Sequence, residues 1–185
     1  MAKSKHTIRI ISGTHGSRRL PVLDYPGLRP TGDRLREVLF NWLQMEIAGK
    51  RVLDLCAGSG ALGFEAASRG AKNVDLVESN AQVTKQLSQI KSDFDFQNTT
   101  IFNLTAQNFL KDCQSDYDVI FLDPPFSDNL IQEMTDLVLP VVAKNGFLYR
   151  ESAVEQELLK LPNNWQLYRQ KKAGQVKIEL WKKLN

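Results

Sequence analysis

From residue 51 onward, short apolar segments alternate with segments whose apolar residues recur at helical spacing. The strand candidates in this region are RVLDL, NVDLVE, TTIFNL, YDVIFLD and GFLYRE. The helical segments between them cover about residues 60–70, 79–92, 105–112 and 129–143. This alternation predicts a parallel sheet with helices on both faces. The later segments NWQLYRQ and VKIELWKK are typical of an antiparallel hairpin with Gly174 in its turn.

Before residue 50 the pattern is different. The segments TIRIISG and RRLPV, joined by the turn-prone GTHGS, predict a small hairpin. The segment RPTGDRLREVLFNWLQMEI has apolar residues at helical spacing, and Thr31 is the expected N-cap of that helix. Since no repeat or linker divides the chain, we expect one domain over residues 1–185, with a basic hairpin extension at 1–28 and the core at 29–185.

The composition is typical of a water-soluble globular protein, with 42% hydrophobic and 24% charged residues. No apolar run approaches the roughly 20 residues of a membrane span, and MAKSKHTIRI lacks the apolar core of a signal peptide. Two cysteines are too few for a disulfide framework, and two histidines near the N-terminus are too few for a metal cluster. We expect a cytoplasmic monomer with no bound metal and no membrane contact.

The net charge of +3 hides a segregation of charge along the chain. Residues 1–36 and residues 160–185 each carry a net charge of +6, whereas residues 37–159 carry −9. Basic ends around an acidic centre favour a polyanionic partner such as nucleic acid. The alternative is that the basic ends serve only solubility.

A glycine-rich segment follows the first strand of the alternating region. In VLDLCAGSGALGFEA, the residues Gly58, Gly60 and Gly63 match G-x-G-x-x-G, and Glu78 ends the next strand. The pattern fits a dinucleotide, but Asp54 would repel the pyrophosphate. At a distance of about 4 Å and an effective dielectric of about 20, the repulsion costs about 4 kcal/mol for each phosphate charge. S-adenosylmethionine has no phosphate and carries an ammonium and a sulfonium group, so Asp54 favours this cofactor. The alternative is that Asp54 caps the loop backbone.

The strand VIFLDPPF, residues 119–126, ends in a charge and two prolines. Pro124 and Pro125 donate no N–H and favour extended geometry, which leaves a rigid row of acceptors at the strand end. In a doubly wound sheet this end faces the glycine loop where the strand order reverses. Asp123 and the Pro124 carbonyl can then accept the hydrogens of an exocyclic amine, while Phe126 stacks on a flipped base. The alternative is a plain turn.

These motifs together resemble a known family, the S-adenosylmethionine-dependent methyltransferases that act on guanine N2 of bacterial small-subunit (16S) ribosomal RNA. The resemblance spans nearly the whole chain and includes IRIISG, RRLPV, GLRPTGDRLREVLFNWL, LDLCAGSGALGFEAASRGA, DPPF and AGQVKIELW. It implies a Rossmann-like class I fold, with a seven-stranded and mostly parallel sheet whose last strand is antiparallel. It also implies S-adenosylmethionine as cofactor and 16S rRNA within the small ribosomal subunit as partner.

The motifs and the resemblance together give the expected site residues. The residues expected at the cofactor are Asp54, Ala57, Gly58, Ser59, Gly60, Glu78, Thr105, Ala106 and Thr31. Those expected to hold the target base are Asp123, Pro124, Pro125 and Phe126. Those expected to contact RNA are Arg9, Arg18, Arg19, Arg29, Arg34, Lys171, Lys172 and Lys177. For the junction that holds Arg29, Thr31 and Arg34, the alternative is helix capping and surface charge.

Two positions depart from the pattern of the family. Cys56 stands where relatives usually carry Phe, and Thr105 stands where many class I enzymes place Asp or Asn against the adenine amino group. The hydroxyl of Thr105 can substitute for that contact.

Other functions stay open at this point. The same chemistry can act on another RNA, on DNA or on a protein glutamine, although glutamine enzymes usually present Asn-Pro-Pro-Tyr. A non-catalytic RNA-binding or assembly protein can keep a vestigial cofactor site, although every expected catalytic position is filled. A nicotinamide enzyme is disfavoured by Asp54.

Overall fold

The computed structural model describes residues 6–22, 32–124, 130–157 and 160–185. Its strands are β1 (His6–Arg9), β2 (Arg19–Val22), β3 (Arg51–Asp54), β4 (Asn73–Val77), β5 (Thr99–Phe102), β6 (Tyr117–Leu122), β7 (Val142–Ala153), β8 (Trp165–Ala173) and β9 (Val176–Lys183). Its helices are α1 (Asp33–Trp42), α2 (Ala61–Ser68), α3 (Ala81–Asp93), α4 (Ala106–Lys111) and α5 (Leu130–Val138). The predicted alternation of strands and helices is confirmed.

Seven strands form one sheet in the order β5-β4-β3-β6-β7-β9-β8. β3 pairs in parallel with β4 and β6, and the β4–β5 and β6–β7 pairs are also parallel. β9 runs antiparallel between β7 and β8, which confirms the antiparallel last strand. Because the direction of winding reverses at β3, a crevice is expected between the carboxyl ends of β3 and β6.

The hydrophobic core fills both faces of the sheet. On one face, Val52 and Phe121 belong to a cluster that includes side chains of α1, α2 and α3. On the other face, Leu53 and Ile120 belong to a cluster that includes side chains of α4 and α5. Parallel strands that are covered on both faces are apolar along their whole length. This is why the segment VIFL carries no polar residue before Asp123.

Helix α1 is shorter than its periodicity predicts. The N-cap was expected at Thr31, which lies outside the described residues, and the residue that occupies the N-cap position is Gly32. The helix ends at Trp42. Leu43 and Ile47 are buried in the turns that follow, so their spacing reflects contact with the core and not further helix.

The boundary between α5 and β7 also differs from the prediction. Pro140 lies in a 3-10 turn directly after α5, and it cannot donate the backbone N–H that would continue the helix. The strand then begins at Val142, with Asn145 in the left-handed region at φ +60°. β7 is therefore longer and more irregular at its start than the predicted segment GFLYRE.

The predicted N-terminal hairpin is confirmed, and its turn is docked on helix α2. The buried carboxylate of Glu65 accepts hydrogen bonds from the backbone N–H groups of Ile11 (2.7 Å) and Ser12 (3.1 Å). Gly13 lies so close to α2 that a Cβ there would be 1.8 Å from the carbonyl oxygen of Ser68. The hairpin is thus fixed to the helix that follows the glycine loop.

Candidate active site

Three predicted acidic residues share the carboxyl edge of the sheet. Asp54, the last residue of β3, pairs with Leu76 on β4 and with Phe121 on β6. Glu78 and Asp123 lie two residues beyond these partners, and side chains two residues apart lie on the same face of a strand. The register therefore brings Asp54, Glu78 and Asp123 together around the crevice at β3.

The environment of Cys56 supports this convergence. Burial and the charges of Asp54, Asp123 and Glu78 all raise the pKa of its thiol. A thiol with a raised pKa stays protonated at neutral pH and is a poor nucleophile. The three carboxylates therefore lie close enough to act on one side chain, and Cys56 is unsuited to nucleophilic chemistry.

The glycine loop makes the tight strand-to-helix turn that its sequence predicts. Gly58 and Gly60 have φ of +49° and +76°, the left-handed region in which glycine is favoured. Gly60 is the N-cap of α2, and a Cβ there would lie 2.6 Å from the ring of Phe64 and 2.8 Å from Leu87. A side chain at Gly60 would therefore disturb both the turn and the packing beneath it.

Asp54, at the end of β3, is buried beneath this loop and is not a surface charge. Its side chain accepts a hydrogen bond from the backbone N–H of Gly63 at 2.8 Å, and the residue is only 2% exposed. Burial and the nearby charge of Glu78 raise the pKa of Asp54 to about 7, against the lowering effect of the Gly63 bond. The alternative role of capping the loop backbone is thus present in the structure, and the contact of Asp54 with the cofactor stays a prediction.

Glu78 connects the glycine loop with the start of α3. Its carboxylate accepts hydrogen bonds from the backbone N–H groups of Gly58 (3.0 Å) and Asn80 (2.8 Å). The side-chain amide of Asn103, at the end of β5, donates to the backbone carbonyl of Glu78 at 3.0 Å. Sequence analysis missed Asn103, although it is a polar residue directly after a strand that ends at this edge.

The remaining cofactor candidates lie at the same edge. Ala57, Ser59 and Ala106 are buried, each about 7% exposed. Thr105 is exposed, and its hydroxyl accepts a hydrogen bond from the backbone N–H of Asn108 at 3.2 Å as the N-cap of α4. A contact from Thr105 to adenine would compete with this capping bond, so that contact stays a prediction.

The base-holding motif is described only in part. Asp123 and Pro124 follow β6 directly, with Asp123 half-buried and Pro124 buried. Pro125 and Phe126 lie outside the described residues, as do the candidates Arg29 and Thr31. For this motif, the described geometry is therefore that of the end of β6 and of Asp123 and Pro124.

Tyr149 and Glu151 on β7 were missed by the sequence analysis. The hydroxyl of Tyr149 donates a hydrogen bond to the Glu151 carboxylate at 2.7 Å, and both residues are buried. Tyr149 pairs with Phe121, so Glu151 extends the row of acidic residues by one strand beyond Asp123. The sequence does contain a signal for Glu151, because the apolar segment GFLYRE ends in an acidic residue, as NVDLVE and YDVIFLD do.

The N-terminal hairpin presents the first group of predicted RNA-binding residues. Arg18 and Arg19 are exposed; Arg18 lies over the ring of Phe94, and Arg19 donates to the hydroxyl of Thr7 at 3.3 Å. Arg9 forms an exposed ion pair with Glu37 at 3.6 Å. The three arginines lie on the docked hairpin, and their contact with RNA stays a prediction.

The second group of RNA-binding candidates belongs to other parts of the structure. Lys171 and Lys172 lie on β8, the edge strand of the sheet, and Arg34 is exposed in the first turn of α1. Lys177 is already paired with Glu179 at 3.3 Å, and its side chain is 14% exposed. Because its side chain is largely buried and held by Glu179, Lys177 is less accessible to a phosphate than Lys171 or Lys172.

A separate cavity of about 300 Å³ lies on the side of α4. Its lining includes Asp75, Phe102, Phe109, Cys113 and Tyr117, and none of the described cofactor candidates. In the described ranges, no helix is long and apolar enough to cross a membrane. Among the same residues, no group of His, Cys, Asp and Glu is arranged to hold a metal ion.

The strand order, the antiparallel β9 and the glycine loop are those of the Rossmann-like class I methyltransferase fold. A family model described as "Conserved hypothetical protein 95" matches residues 8–182. The chain belongs to this family.

The chain is similar over nearly its full length to curated relatives. It is 42% identical to Ribosomal RNA small subunit methyltransferase D of Escherichia coli (strain K12), across 99% of this chain and 96% of that protein. It is 40% identical to the protein of the same name from Haemophilus influenzae, across 96% and 95%. The solved structure of yhhF, a candidate methyltransferase from Escherichia coli, superposes with a TM-score of 0.90 at 39% identity, covering 97% of this chain and 99% of that one.

Proposed function

We propose that this protein transfers a methyl group from S-adenosylmethionine to the exocyclic N2 amine of one guanine in the 16S rRNA of the small ribosomal subunit. The observation that carries the proposal is the row of Glu78, Asp54 and Asp123 at one sheet edge, beside a glycine loop. The substrate is supported by two relatives named for small-subunit ribosomal RNA, at 42% and 40% identity. Since ribosomal subunits are cytoplasmic, the proposal places the protein in the cytoplasm.

The site fits a cationic cofactor better than a phosphorylated one. Asp54 is buried with a pKa near 7, so a positive charge beside it would favour its ionised form. Glu78 is held at the end of β4 by two backbone N–H groups, where its carboxylate can accept bonds from ribose hydroxyls. S-adenosylmethionine supplies an electrophilic methyl group on its sulfonium.

Asp123 and Pro124 would activate the guanine amine that receives the methyl group. The amine of guanine is a weak nucleophile because its lone pair is delocalised into the ring. Hydrogen bonds from the amine to the Asp123 carboxylate and to the Pro124 carbonyl would localise this lone pair towards the methyl group. Positioning of this kind contributes much of the rate of an in-line transfer.

The basic residues on the outside would bind the RNA backbone. The hairpin with Arg18 and Arg19 is fixed to α2, the helix that begins at the glycine loop. A phosphate backbone that contacts the hairpin would therefore be held at a constant position relative to the cofactor. Phosphate contacts of this type fix register and supply most of the salt-dependent affinity.

Mass spectrometry of ribosomal RNA tests the proposal directly. We expect digested 16S rRNA from a strain without this gene to lack one N2-methylguanosine, and we expect the purified protein to restore it on small subunits from that strain. Naked 16S rRNA, transfer RNA and DNA serve as competing substrates. Methylation of transfer RNA or DNA, with no methylation of the small subunits, would refute the assigned substrate.

A further inference from the structure

The position of Glu151 assigns it to the substrate side of the site. Across the sheet edge the order is β4, β3, β6 and β7, so Glu78 comes first, then the glycine loop, then Asp123, then Glu151. The cofactor candidates occupy the β4–β3 side, and Asp123 stands where the methyl group would be transferred. A base held by Asp123 must therefore extend away from the cofactor, towards β7.

The Glu151 carboxylate is held in place by the strand that carries it. Leu122 pairs with Arg150, so the same register continued by one residue would place Asp123 beside Glu151, and both carboxylates act on Tyr149. Tyr149 donates its hydroxyl to Glu151 at 2.7 Å, and its ring contacts Phe121 with centroids 6.1 Å apart. Burial and the carboxylates of Glu151, Asp123 and Asp54 raise the pKa of Tyr149, which keeps its hydroxyl a donor.

We propose that Glu151 selects guanine, by accepting the N1–H of the base while Asp123 and the Pro124 carbonyl accept the N2 hydrogens. The assignment rests on the proposed function and adds the group that distinguishes the base. Guanine is the natural base whose ring N–H lies next to an exocyclic amine. Adenine and cytosine present a ring acceptor beside their amine, and a carboxylate repels an acceptor lone pair.

The burial of Glu151 explains how a rigid carboxylate at this position would distinguish guanine from the other bases. Glu151 is 6% exposed, so a base that placed an acceptor against it would leave two buried acceptors facing each other. Unpaired buried acceptors are costly, and one matched base contact changes discrimination by about tenfold to a hundredfold. The Tyr149 hydroxyl donates to one carboxylate oxygen and thereby fixes the orientation of the carboxylate group.

A base analogue tests this assignment without removing the methyl acceptor. 2-Aminopurine keeps the 2-amine of guanine, but it has an acceptor at N1 in place of the N–H and a hydrogen in place of O6. Small-subunit RNA would be prepared by ligation with guanine or 2-aminopurine at the position that the wild-type protein methylates, and then assembled into subunits. The proteins compared are the wild type, Glu151→Gln, Tyr149→Phe, Asp123→Asn and the control Glu133→Gln, whose glutamate is exposed on α5.

We expect the wild type to prefer guanine over 2-aminopurine by about tenfold or more in kcat/KM. Glu151→Gln should lose most of this preference, because its amide can donate to the N1 acceptor, and Tyr149→Phe should weaken the preference partially. Asp123→Asn should slow transfer to both bases alike, and Glu133→Gln should match the wild type. Affinity for S-adenosylmethionine, measured by calorimetry, should be unchanged in Glu151→Gln.

Three results would overturn the assignment alone. They are a wild type that methylates both bases equally, a preference that survives Glu151→Gln, and a loss of cofactor binding in Glu151→Gln that moves Glu151 to the cofactor. The first of these needs no variant, so it decides even if Glu151→Gln does not fold. A wild type that methylates no small-subunit RNA would instead refute the proposed function, and this assignment with it.

Discussion

Asp54 is a buried carboxylate that stabilises the glycine loop, and the proposed function gives it a second role beside a charged ligand. It caps the backbone N–H of Gly63, and burial raises its pKa to about 7. In the unfolded chain the same group has a pKa near 3.8. Its protonated form is therefore retained in the folded protein over a pH range in which the unfolded chain has already lost the proton.

The raised pKa predicts a pH-dependent effect of Asp54→Asn on stability. As the pH rises from about 4 to about 7, the unfolded state releases a proton that the folded state keeps, so the wild type loses stability over this range. Asp54→Asn should remove this loss of stability. In the absence of cofactor, the difference in free energy of unfolding between Asp54→Asn and the wild type should therefore be more favourable to the variant above pH 7 than at pH 4, by roughly 1–4 kcal/mol. Urea unfolding at both pH values measures this difference.

The same variant distinguishes the two roles of Asp54. If Asp54 faces the cationic cofactor, binding should release a proton near pH 7 in the wild type and none in Asp54→Asn, which calorimetry in buffers of different ionisation enthalpy detects. Asp116→Asn, at an exposed position, is the matched control. Equal proton release in the wild type and Asp54→Asn would leave Asp54 with its loop-capping role only.

At the scale of elements, the coupling between the N-terminal hairpin and helix α2 is the least expected contact. Glu65 lies in the middle of α2, is fully buried, and accepts from Ile11, Ser12 and the Arg69 side chain. A fully buried carboxylate that accepts from three partly buried donors is costly to remove, because the donors lose their partner where water has little access. Glu65 therefore fixes the hairpin to the core together with Ser68, which hydrogen-bonds to Ser12, Thr14 and His15.

Replacement of Glu65 should release the hairpin. We expect Glu65→Ala to lower the free energy of unfolding by about 3–5 kcal/mol and to increase hydrogen exchange at residues 10–17 above that of the sheet. Glu37→Gln removes an exposed hairpin pair with Arg9 and should cost about 1 kcal/mol or less. Equal exchange at residues 10–17 in both variants would contradict the role given to Glu65.

At the scale of the whole molecule, the sequence predicts features set by neighbouring residues better than contacts between distant parts of the chain. The alternation from residue 51, the glycine loop and the buried strand VIFL all follow from spacing within a few residues, and the structure confirms them. Glu65 and Arg36 had no role in the sequence analysis, yet both are fully buried and hydrogen-bond to the backbone of the hairpin. Such burial depends on partners far along the chain, and no local pattern encodes it. The acidic edge was predicted in part, since Asp123 was found and Glu151 was not.

The charge distribution predicts how the molecule binds RNA. Reversal of Arg18 and Arg19 to Glu should weaken binding to small subunits and flatten its salt dependence, since each lost phosphate contact lowers the slope of log K against log[salt] by about 0.7–0.9. Reversal of Lys111 and Lys144 changes the net charge equally, at exposed positions outside the hairpin, and should leave the slope nearly unchanged. Identical slopes for the two double variants would remove the hairpin from the RNA-binding surface.

The place of β9 in the sheet has a consequence for biosynthesis. β9 lies between β7 and β8, and it flanks Tyr149 and Glu151 through Leu180 and Ile178. During translation, β7 emerges from the ribosome well before the strand that supports its outer side. Under the proposed function, the wall of the site beside Glu151 is complete only after β9 has been synthesised, so we expect a nascent chain that lacks β9 to have no finished site.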